Sequence, residues 1–445
     1  MDGARLPGTS VDDGDRIVAH VDMDCFYAAC ERRREPPLEG DPVVVGMGFE
    51  PGETHGAVAT ASYEAREYGV DSAMAISAAL ERLPRKVDAV DDPALDVADA
   101  GFYRPVDMEY YESVSGRVRA ILHDCAPVVR EVSIDEAYLD VTDETDWNTV
   151  EQWAARLKDE IRSTVGVPAS VGVAPTMSAA KVASDRDKPD GLVVVEPGDV
   201  RDFFADLPVE DVHGVGPVTA EELDDLGIET AGDLASADPD VLEERFGERG
   251  LEIYSYARGE DDREVTPRGR PKSLSRESAF TEATDDRAEL GDRVRSLAAS
   301  VADRATSKDA LYQTIGIKVV TPPFDVNTRA RSLPGPVDEP ELVESVALDL
   351  LDEFEGQRVR KVGVRVSNLS FTAGEQASLG GFEGANDDTA TTGPGADEVN
   401  DDGTSEPAPD GQVTLTGAAW AEGDASDDAA TPPVDGQTTI DDFCK

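Results

Sequence analysis

The alternation of apolar and polar residues predicts strands and helices that follow one another over the first 195 residues. Five short segments have the apolar character of buried strands: RIVAHVDMD (16–24), APVVREVSI (126–134), EAYLDVT (136–142), PASVGVA (168–174) and GLVVVE (191–196). Residues 146–164 and 176–186 instead repeat apolar positions with the 3.6-residue period of an amphipathic helix. Strands that alternate with helices around one sheet indicate a domain of mixed α and β structure.

The pattern changes character twice beyond this region. Residues 196–265 are mainly helical, with turns at HGVGP and GERG. Residues 273–371 return to period-two strands such as LYQTIGIKVV and RKVGVRVSNLS, with helical patterns at 286–305 and 338–355. These changes predict a helical domain followed by a second, smaller α+β domain.

Both ends of the chain are rich in acidic and small residues. Residues 1–15 have the composition of a loose acidic leader. From residue 372 onward Gly, Asp, Ala, Thr and Pro dominate, and large apolar residues are few. Because such a segment buries too little apolar surface to offset the entropy of ordering, we predict a disordered acidic tail over residues 372–436.

The net charge of −53 arises from 94 Asp and Glu residues against 41 Lys and Arg residues. Such a charge would ordinarily argue against a nucleic-acid partner. Here the acids are spread through the whole chain, which indicates adaptation to molar salt, where charges are screened within a few Å. The overall charge therefore says little about the ligand, and local exceptions to it say more.

The cysteines and histidines argue against a zinc site. Cys25, Cys30, Cys125 and Cys444 form no CxxC pair, and the four histidines are scattered. Unpaired cysteines favour a reduced, cytoplasmic setting. The sequence has no apolar run of about 18 residues and no signal peptide, so no membrane association is expected.

Two adjacent carboxylates, Asp135 and Glu136, interrupt the apolar run VREVSIDEAYLDV. The apolar residues around them are predicted to lie in a buried strand: Val132, Ile134, Ala137, Leu139 and Val141. Neighbours in a regular strand point to opposite faces, so two adjacent acids approach one site only at a bulge or turn. Buried like charges are costly, which leaves a surface turn or a bound cation as the explanation.

A third acid, Asp22, follows a predicted strand in HVDMDCFYAA. Mg²⁺ prefers oxygen ligands and takes only a few of them from protein. Three carboxylates at strand ends can hold two such ions, and a metal pair stabilises both the attacking and the leaving oxygen of a phosphoryl displacement.

Five segments set these acids in a wider context: VDMDCFYA, VATASYEAREYGV, SIDEAYLD, SVGVAPTMSAAKVASDRDKPDGL and VHGVGPVTAEELDDLGI. In this order they resemble the Y-family DNA polymerases, most closely the DNA polymerase IV branch, over residues 16–370. The resemblance implies a template-dependent DNA polymerase of the translesion type. Such an enzyme copies past damaged bases with low fidelity and low processivity, without proofreading, and serves DNA damage bypass and repair.

The resemblance also implies an α+β multidomain fold shaped like a right hand. Its parts would be a ferredoxin-like palm, small fingers, a helical thumb with a helix-hairpin-helix, a basic linker and a C-terminal α+β little finger domain. The corresponding residues are 16–24 and 91–195 for the palm, 25–90 for the fingers, 196–265 for the thumb, 266–272 for the linker and 273–371 for the little finger.

By the same resemblance, Asp22 and Asp135 would bind both Mg²⁺ ions, with the backbone carbonyl of Met23 as a further ligand. Glu136 would complete the site of the ion that activates the primer 3′-hydroxyl. The acids would then sit at a hairpin between palm strands, where Mg²⁺ and a triphosphate neutralise them.

The family match assigns a nucleotide pocket as well. Tyr27 would stack below the incoming sugar and exclude a 2′-hydroxyl, with ordinary core packing as the alternative, whereas Phe26 is expected to pack.

Cys25 departs from the family, because many relatives carry an aromatic residue there. This leaves the metal site intact but puts the packing beneath it in doubt.

Tyr63, Arg66 and Lys188 would hold the triphosphate. Tyr63 and Arg66 are spaced i, i+3, so a helix places them on one face. The fork of an arginine suits phosphate because it donates two bonds at once. The alternatives are an ion pair of Arg66 with Glu64 or Glu67, and a turn lysine at position 188.

Three segments are candidates for DNA contacts. Gly214 and Gly216 form a turn before a predicted helix that Pro217 begins, where backbone N–H groups can bind a phosphate. The segment VTPRGRPKSLSR contains no acid and supplies basic candidates: Arg268, Arg270, Lys272 and Arg276. In KVGVRVS, Lys361 and Arg365 lie on the strand face opposite the valines, and a plain solvated face is the alternative.

The terminal QTTIDDFCK (437–445) resembles the peptide that docks on the sliding clamp, with Gln437, Ile440 and Phe443 as its anchors and Cys444 as a departure at the second aromatic position.

The resemblances together imply three partners, which are primer–template DNA, deoxyribonucleoside triphosphates and the clamp, and the chain is expected to be a monomer. A catalytically idle, clamp-tethered repair scaffold and a palm-fold nucleotidyl cyclase are the competing hypotheses.

Overall fold

The computed structural model describes residues 16–50 and 52–371, together with the backbone of residues 412–413. The predicted acidic leader, most of the predicted disordered tail and the predicted clamp-binding peptide lie outside these residues. The chain divides into two compact units between Gly269 and Arg270, within the predicted basic linker. No helix in the described part of the chain is long and apolar enough to cross a membrane.

The first unit contains a mixed sheet with the strand order β5-β6-β1-β7-β8 and a smaller sheet with the order β3-β2-β4. Their strands are β1 (Val18–Met23), β2 (Val43–Gly46), β3 (Val58–Ala61), β4 (Phe102–Arg104), β5 (Val128–Glu131), β6 (Glu136–Asp140), β7 (Ala169–Ala174) and β8 (Leu192–Val194). The central strand β1 is antiparallel to both β6 and β7. The predicted strands near residues 18, 128, 136, 169 and 192 are therefore confirmed.

The helices of the first unit include those predicted at 146–164 and 176–186. They are α1 (Phe26–Arg34), α2 (Tyr63–Glu67), α3 (Ile76–Arg82), α4 (Lys86–Asp91), α5 (Met108–Cys125), α6 (Val150–Val165), α7 (Met177–Arg186), α8 (Val200–Ala205), α9 (Pro217–Asp224), α10 (Ala231–Ser236), α11 (Pro239–Phe246) and α12 (Glu248–Ala257). Short 3-10 helices occupy Pro36–Leu38, Val97–Asp99 and Val209–Asp211. The segment from α8 to α12 is the predicted helical region.

The central sheet has two different faces because side chains alternate along each strand. Ala19 and Val21 of β1 pack with apolar residues of α5 and α6 in one core. Val18 of β1 and Ala174 of β7 pack on the other side, with α7 and the helices that follow it. Asp22 has the same parity as Val18, so it lies on the face that α7 covers.

Gly172 of β7 allows α7 to lie directly on the sheet. A Cβ atom at this position would come within 2.2 Å of both the carbonyl oxygen of Ala180 and the amide nitrogen of Ser184. Real Cβ atoms do not approach backbone atoms this closely, so the separation of β7 and α7 requires a glycine here. On the neighbouring strand, His20 is the residue opposite Gly172.

One predicted strand boundary is wrong. The run around the paired acids is not a continuous strand, because β5 ends at Glu131 and β6 begins at Glu136. Val132 lies in the turn between them and is 38 % exposed, whereas Ile134 is buried as predicted. The backbone amide of Val132 donates to the carbonyl of Glu136, which closes the turn.

The second unit is an antiparallel sheet with two helices on one face. Its strands are β9 (Ser273–Thr284), β10 (Ala310–Thr321), β11 (Asp325–Val337) and β12 (Val359–Phe371), and its helices are α13 (Arg287–Ser307) and α14 (Pro340–Leu351), followed by a 3-10 helix at Asp352–Phe354. The strand order is β11-β10-β12-β9, and a two-residue strand, β13 (Gln412–Val413), pairs with β11. These residues of β13 fall within the tail that the sequence predicts to be disordered.

The valines of β12 confirm the predicted period. Val362, Val364 and Val366 are buried in the core that α13 and α14 cover. Lys361 and Arg365 therefore lie on the opposite face of the sheet, as predicted.

Candidate active site and nucleic-acid surface

The paired strands bring the predicted catalytic acids to one end of the central sheet. Asp22 of β1 is opposite Glu136 of β6 in the strand register. Directly opposed residues on antiparallel strands point to the same face, so both carboxylates lie beneath α7. The amide of Met23 donates to the carbonyl of Asp135 at 2.9 Å, which fixes the β5–β6 turn beside the end of β1.

Ser133 holds the turn that carries the acid pair. Its Oγ accepts hydrogen bonds from the amides of Asp135 and Glu136, at 3.3 and 3.0 Å. The same hydroxyl contacts the Asp135 carboxylate. Burial raises the pKa of Asp135 despite this hydroxyl, and the charges of Asp22 and Glu136 add to the increase.

Two lysines, Lys181 and Lys188, form ion pairs with acids at this end of the sheet. Lys181 of α7 places its Nζ 3.0 Å from Asp22 Oδ2 and 2.9 Å from Glu136 Oε1. Lys188 places its Nζ 2.7 Å from the same oxygen of Asp22 and 2.7 Å from Asp185 Oδ1. Asp22 and Glu136 are therefore held in ion pairs with ammonium groups, whereas Asp135 contacts the Ser133 hydroxyl.

These ion pairs lower the pKa of Glu136 and raise the pKa of Lys181. Burial alone would raise the pKa of Glu136, but its contacts with His20 and the charge of Lys181 hold that pKa well below its usual range. Burial alone would lower the pKa of Lys181, but Asp22 and Glu136 raise it above its usual value. Both members of the pair are therefore charged at neutral pH.

His20 is a buried neighbour of the acids that the sequence analysis did not single out. Its Nδ1 lies 2.8 Å from Ser184 Oγ of α7, and its Nε2 lies 3.8 Å from Glu136 Oε2. Burial lowers the pKa of His20, which favours the neutral imidazole. Lys181 was also missed, although it is the one lysine of the helix predicted at 176–186, which gave a usable signal.

The predicted metal ligands, Asp22, Asp135 and Glu136, fit Mg²⁺ because they offer carboxylate oxygens. Among residues 16–50 and 52–371, no group of three or more His, Cys, Asp or Glu side chains is close enough to hold a metal ion. Asp22 and Glu136 instead face the ammonium groups described above. Carboxylate oxygens are nevertheless the ligands that Mg²⁺ prefers, and this ion needs few of them from protein when water and phosphates supply the rest.

Tyr27 packs at the edge of the core that lies between the central sheet and the helices α5 and α6. Its ring stacks on Tyr111 of α5, with centroids 4.6 Å apart and planes 15° from parallel. Phe26 is fully buried, as expected of a packing residue. Tyr27 is half-buried, so the structure leaves part of its ring accessible.

Cys25 precedes α1 with a left-handed backbone, at φ 43°. It is half-buried against the same core as Tyr27, and burial raises the pKa of its thiol to about 11. The thiol of Cys25 therefore stays protonated at neutral pH and acts as a small packing group.

Tyr63 and Arg66 share a face of α2, as their spacing predicts. The guanidinium of Arg66 lies 4.9 Å from the centre of the Tyr63 ring, and its Nε donates to the carbonyl of Ala61. The Tyr63 hydroxyl donates to Asp24 at 3.3 Å. Glu64, an alternative partner for Arg66, binds Arg32 instead.

Asp24 is a further buried acid that the sequence analysis did not single out. Its carboxylate accepts from Ser170 Oγ and from the amide of Asp190, at 2.9 and 2.8 Å. These bonds tie the end of β1 to β7 and to the loop that follows Lys188. Burial nevertheless raises the pKa of Asp24.

The glycine turn before α9 forms as predicted. Gly214 has φ +89°, and a Cβ there would come within 2.1 Å of Arg249 Nη2. That guanidinium donates to the carbonyl of Gly214 at 2.7 Å. Gly216 is the N-cap of α9, and Pro217 is its first residue.

The other predicted DNA-binding residues make contacts within their own units. Arg268 donates to the carbonyl of Val132 in the β5–β6 turn, and Arg270 covers the ring of Phe371 at 4.8 Å. Lys361 pairs with Glu277, and Arg365 donates to Ser273 Oγ at 2.9 Å. The clamp-binding candidates Gln437, Ile440 and Phe443 lie outside the described residues.

A sheet with acids at the end of its central strand, a glycine hairpin in a helical region and a separate α+β unit together define a polymerase of the right-hand class. This architecture agrees with the palm, thumb and little finger that the sequence analysis expects. The comparisons with known proteins narrow the class to one family.

Three family models match the chain: the impB/mucB/samB family over residues 21–185, the HHH motif of the IMS family over 197–228, and the impB/mucB/samB C-terminal domain over 271–379. The chain is 64% identical to the DNA polymerase IV of Halobacterium salinarum over 382 residues, which is 86% of this chain and 92% of the relative. It is 42% identical to the DNA polymerase IV of Methanoculleus marisnigri over 370 residues, 83% and 99% of the two chains.

Solved structures agree with these relatives. A Y-family DNA polymerase chimera of Dbh and Dpo4 matches with a TM-score of 0.69 and 30% identity, over 80% of this chain and 99% of the chimera. An insertion ternary complex of Dbh DNA polymerase matches with a TM-score of 0.56 and 28% identity over the same shares. The chain therefore belongs to the impB/mucB/samB family of Y-family DNA polymerases and is a DNA-directed DNA polymerase of the DNA polymerase IV type. This assignment confirms the resemblance and excludes the idle scaffold and the nucleotidyl cyclase.

Proposed function

We propose that this polymerase extends a primer 3′ end by two-metal phosphoryl transfer and copies past damaged template bases with low fidelity and without proofreading. Its substrates are primer–template DNA and deoxyribonucleoside triphosphates, and its role is DNA damage bypass and repair. The observation that carries the proposal is the register that sets Asp22 opposite Glu136, with Asp135 in the adjoining turn.

Asp22, Asp135, Glu136 and the carbonyl of Met23 would hold two Mg²⁺ ions. Bound Mg²⁺ supplies positive charge that favours the deprotonated primer hydroxyl and stabilises the phosphates. Lys181 and Lys188 hold the Asp22 side chain in one orientation, because both ammonium groups lie within 3.0 Å of one of its oxygens. Lys188 exchanges a carboxylate for a phosphate when a nucleotide enters.

The residues around the acids select and hold the nucleotide. Tyr27 excludes a 2′-hydroxyl with the accessible part of its ring, and its stack on Tyr111 keeps that ring rigid. Arg66 lies exposed at the end of α2 and, with Tyr63 and Lys188, holds the triphosphate. Cation–ring contact fixes the guanidinium of Arg66 before phosphate arrives.

Contacts to the DNA backbone come from both units. The amides near Gly214 and Gly216 bind a phosphate at the glycine turn, and basic residues of the linker and the little finger bind others: Arg268, Arg270, Lys272, Lys361 and Arg365. Such contacts position the duplex without reading its sequence.

The enzyme works as a monomer.

The terminal peptide 437–445 docks on the sliding clamp through Gln437, Ile440 and Phe443. Deletion of these residues should leave synthesis without the clamp unchanged and remove its stimulation by the clamp. Equal stimulation of the full-length and shortened chains in primer extension would show that another segment docks.

Primer extension in concentrated potassium chloride, with and without Mg²⁺, tests the proposed reaction. Asp135→Asn and Glu136→Gln should each lower the extension rate by at least about a hundredfold, because each removes a carboxylate that would hold the Mg²⁺ stabilising the charge that develops in the reaction. Asp140→Asn, a change on the same face of β6 but at its other end, is the matched control. DNA binding followed by fluorescence anisotropy should survive in all three variants, and near-normal extension by both acid variants would refute the metal assignment.

A further inference from the structure

The open face of the second unit's sheet holds a carboxylate between two lysines. Lys318 of β10 places its Nζ 2.9 Å from Glu277 Oε1, and Lys361 of β12 places its Nζ 2.5 Å from Glu277 Oε2. Lys361 is one of the residues proposed to bind DNA phosphates. Neither Glu277 nor Lys318 was singled out by the sequence analysis.

The strand register builds this arrangement across three strands. Gly363 of β12 is opposite Glu277 of β9 on one side and opposite Lys318 of β10 on the other. A Cβ at position 363 would lie 2.8 Å from Cγ of Glu277. The glutamate side chain therefore crosses the strand where no side chain stands, which is how it reaches a lysine two strands away.

The cluster is enclosed enough for its charges to interact. The side chains of Glu277 and Lys318 are each 18% exposed, and that of Lys361 is 36% exposed. Burial alone would raise the pKa of Glu277, but the two lysines hold it below its usual range. The three groups together carry a net charge of one positive unit instead of two.

We propose that Glu277 is an internal competitor for DNA phosphate that limits how tightly this face of the polymerase holds the duplex. A phosphate can take Lys318 or Lys361 fully only by displacing the carboxylate. The duplex therefore gains one net cation from the cluster where the lysines alone would offer two. The inference rests on the proposed DNA-binding role of this face.

Salt dependence of DNA binding measures the competition directly. Each phosphate neutralised by a protein cation changes the slope of log affinity against log salt by about 0.9 for duplex DNA. Glu277→Gln removes the negative charge that competes with phosphate, so its slope should be steeper than that of the natural chain by up to about this amount. Across a fourfold rise in potassium chloride, the variant's gain in affinity should then shrink about threefold.

The experiment uses the full chain and a fluorescein-labelled primer–template duplex, followed by anisotropy between 0.5 and 2 M potassium chloride (about a fourfold range). Glu282→Gln is the matched control, because it removes one negative charge from an exposed position of the same strand. The double variant Glu277→Gln with Lys361→Gln restores one net positive unit and should return the slope to its natural value. A melting curve for each variant checks the fold.

Slopes that agree for Glu277→Gln and Glu282→Gln would overturn the inference. If Glu277→Gln does not fold, Lys318→Gln should flatten the slope, since it leaves the cluster with no net charge, and an unchanged slope would overturn the inference equally. Absence of duplex binding by the natural chain would instead contradict the proposed function.

Discussion

At the scale of single residues, the proposed active site is a set of charges that compensate one another across two structural layers. Asp22 and Glu136 come from the sheet, and Lys181 comes from the helix that covers it. A half-buried ion keeps its charge only when a partner offsets the cost of leaving water. Lys181 therefore keeps Glu136 ionised and holds both acids in place for the ligands they are proposed to bind.

Lys181→Met tests this role, because it removes the ammonium group while keeping most of the side-chain volume. In metal-free buffer the variant should lose about 1–3 kcal/mol of unfolding free energy, since two acids lose a shared partner while Lys188 remains beside one of them. Added Mg²⁺ should stabilise the variant more than the natural chain. Chemical denaturation with and without a chelator provides the measurement.

Lys158→Met is the control for that experiment, because Lys158 is similarly enclosed but pairs with Asp190, away from the catalytic acids. A Lys181 variant that resists denaturation as well as the natural chain, or that gains no more from Mg²⁺ than the control, would contradict the positioning role.

Tyr27 gives a second prediction at this scale. Tyr27→Ala should lower the preference for deoxyribonucleotides over ribonucleotides by about tenfold or more, because the ring no longer occupies the space of a 2′-hydroxyl. Tyr27→Phe keeps the ring and its stack on Tyr111, so it should keep the preference. Single-nucleotide incorporation with each substrate gives the ratio, and an unaltered ratio for Tyr27→Ala would make this a packing residue alone.

At the scale of elements, the sequence predicts most of what is local. The strand β1, the helices α6 and α7 and the buried face of β12 all follow from the period of their apolar residues. The turn between β5 and β6 was harder to predict from the sequence. Val132 has the apolar character of a strand residue but lies where the chain reverses. A turn closed by a serine and a cross-strand backbone bond leaves little trace in the apolar pattern.

Contacts between elements were predictable only in part. The resemblance to a known family supplied the three acids, whereas the partners Lys181 and His20 required the register of α7 against β1. Glu277 shows the same limit, because its pairing with Lys318 depends on a glycine in the strand between them. Periodicity identifies the face of an element, but the opposing side chain depends on tertiary packing.

The glycine turn before α9 yields a prediction about an element. Gly214→Ala should cost about 1–3 kcal/mol of stability, because an alanine is strained at a positive φ and would meet the Arg249 guanidinium. Gly216→Ala is the control within the same turn, since its backbone suits any residue and a Cβ there meets no atom within 4 Å. Denaturant unfolding of the two variants checks this, and equal losses would show that the turn has no strict need for glycine at position 214.

At the scale of the whole molecule, the net charge of −53 is expected to oppose folding through repulsion between like charges. Like charges repel over about 10 Å in 0.1 M salt and over about 3 Å in 1 M salt. The compact form should therefore be favoured as salt rises, whereas phosphate contacts with DNA weaken under the same conditions. Activity should depend on the balance of these two effects.

We predict that the melting temperature rises when potassium chloride is raised from about 0.2 to about 2 M, because screening removes self-repulsion that opposes folding. Sucrose solutions of matched osmolality provide the control for effects unrelated to charge. A melting temperature that falls on adding salt would contradict the proposed adaptation.

The contact at Gly172 limits how the proposed active site can vary. The backbones of strand β7 and helix α7 are in direct contact there, so the two elements cannot accept a side chain between them. Ser184, which contacts His20, and Lys181, which contacts the acids, are both carried by that helix. One methyl group at position 172 would lift the helix and move its ammonium group away from the carboxylates together with its other side chains. The distance between Lys181 and the proposed catalytic acids therefore depends on a residue without a Cβ at position 172.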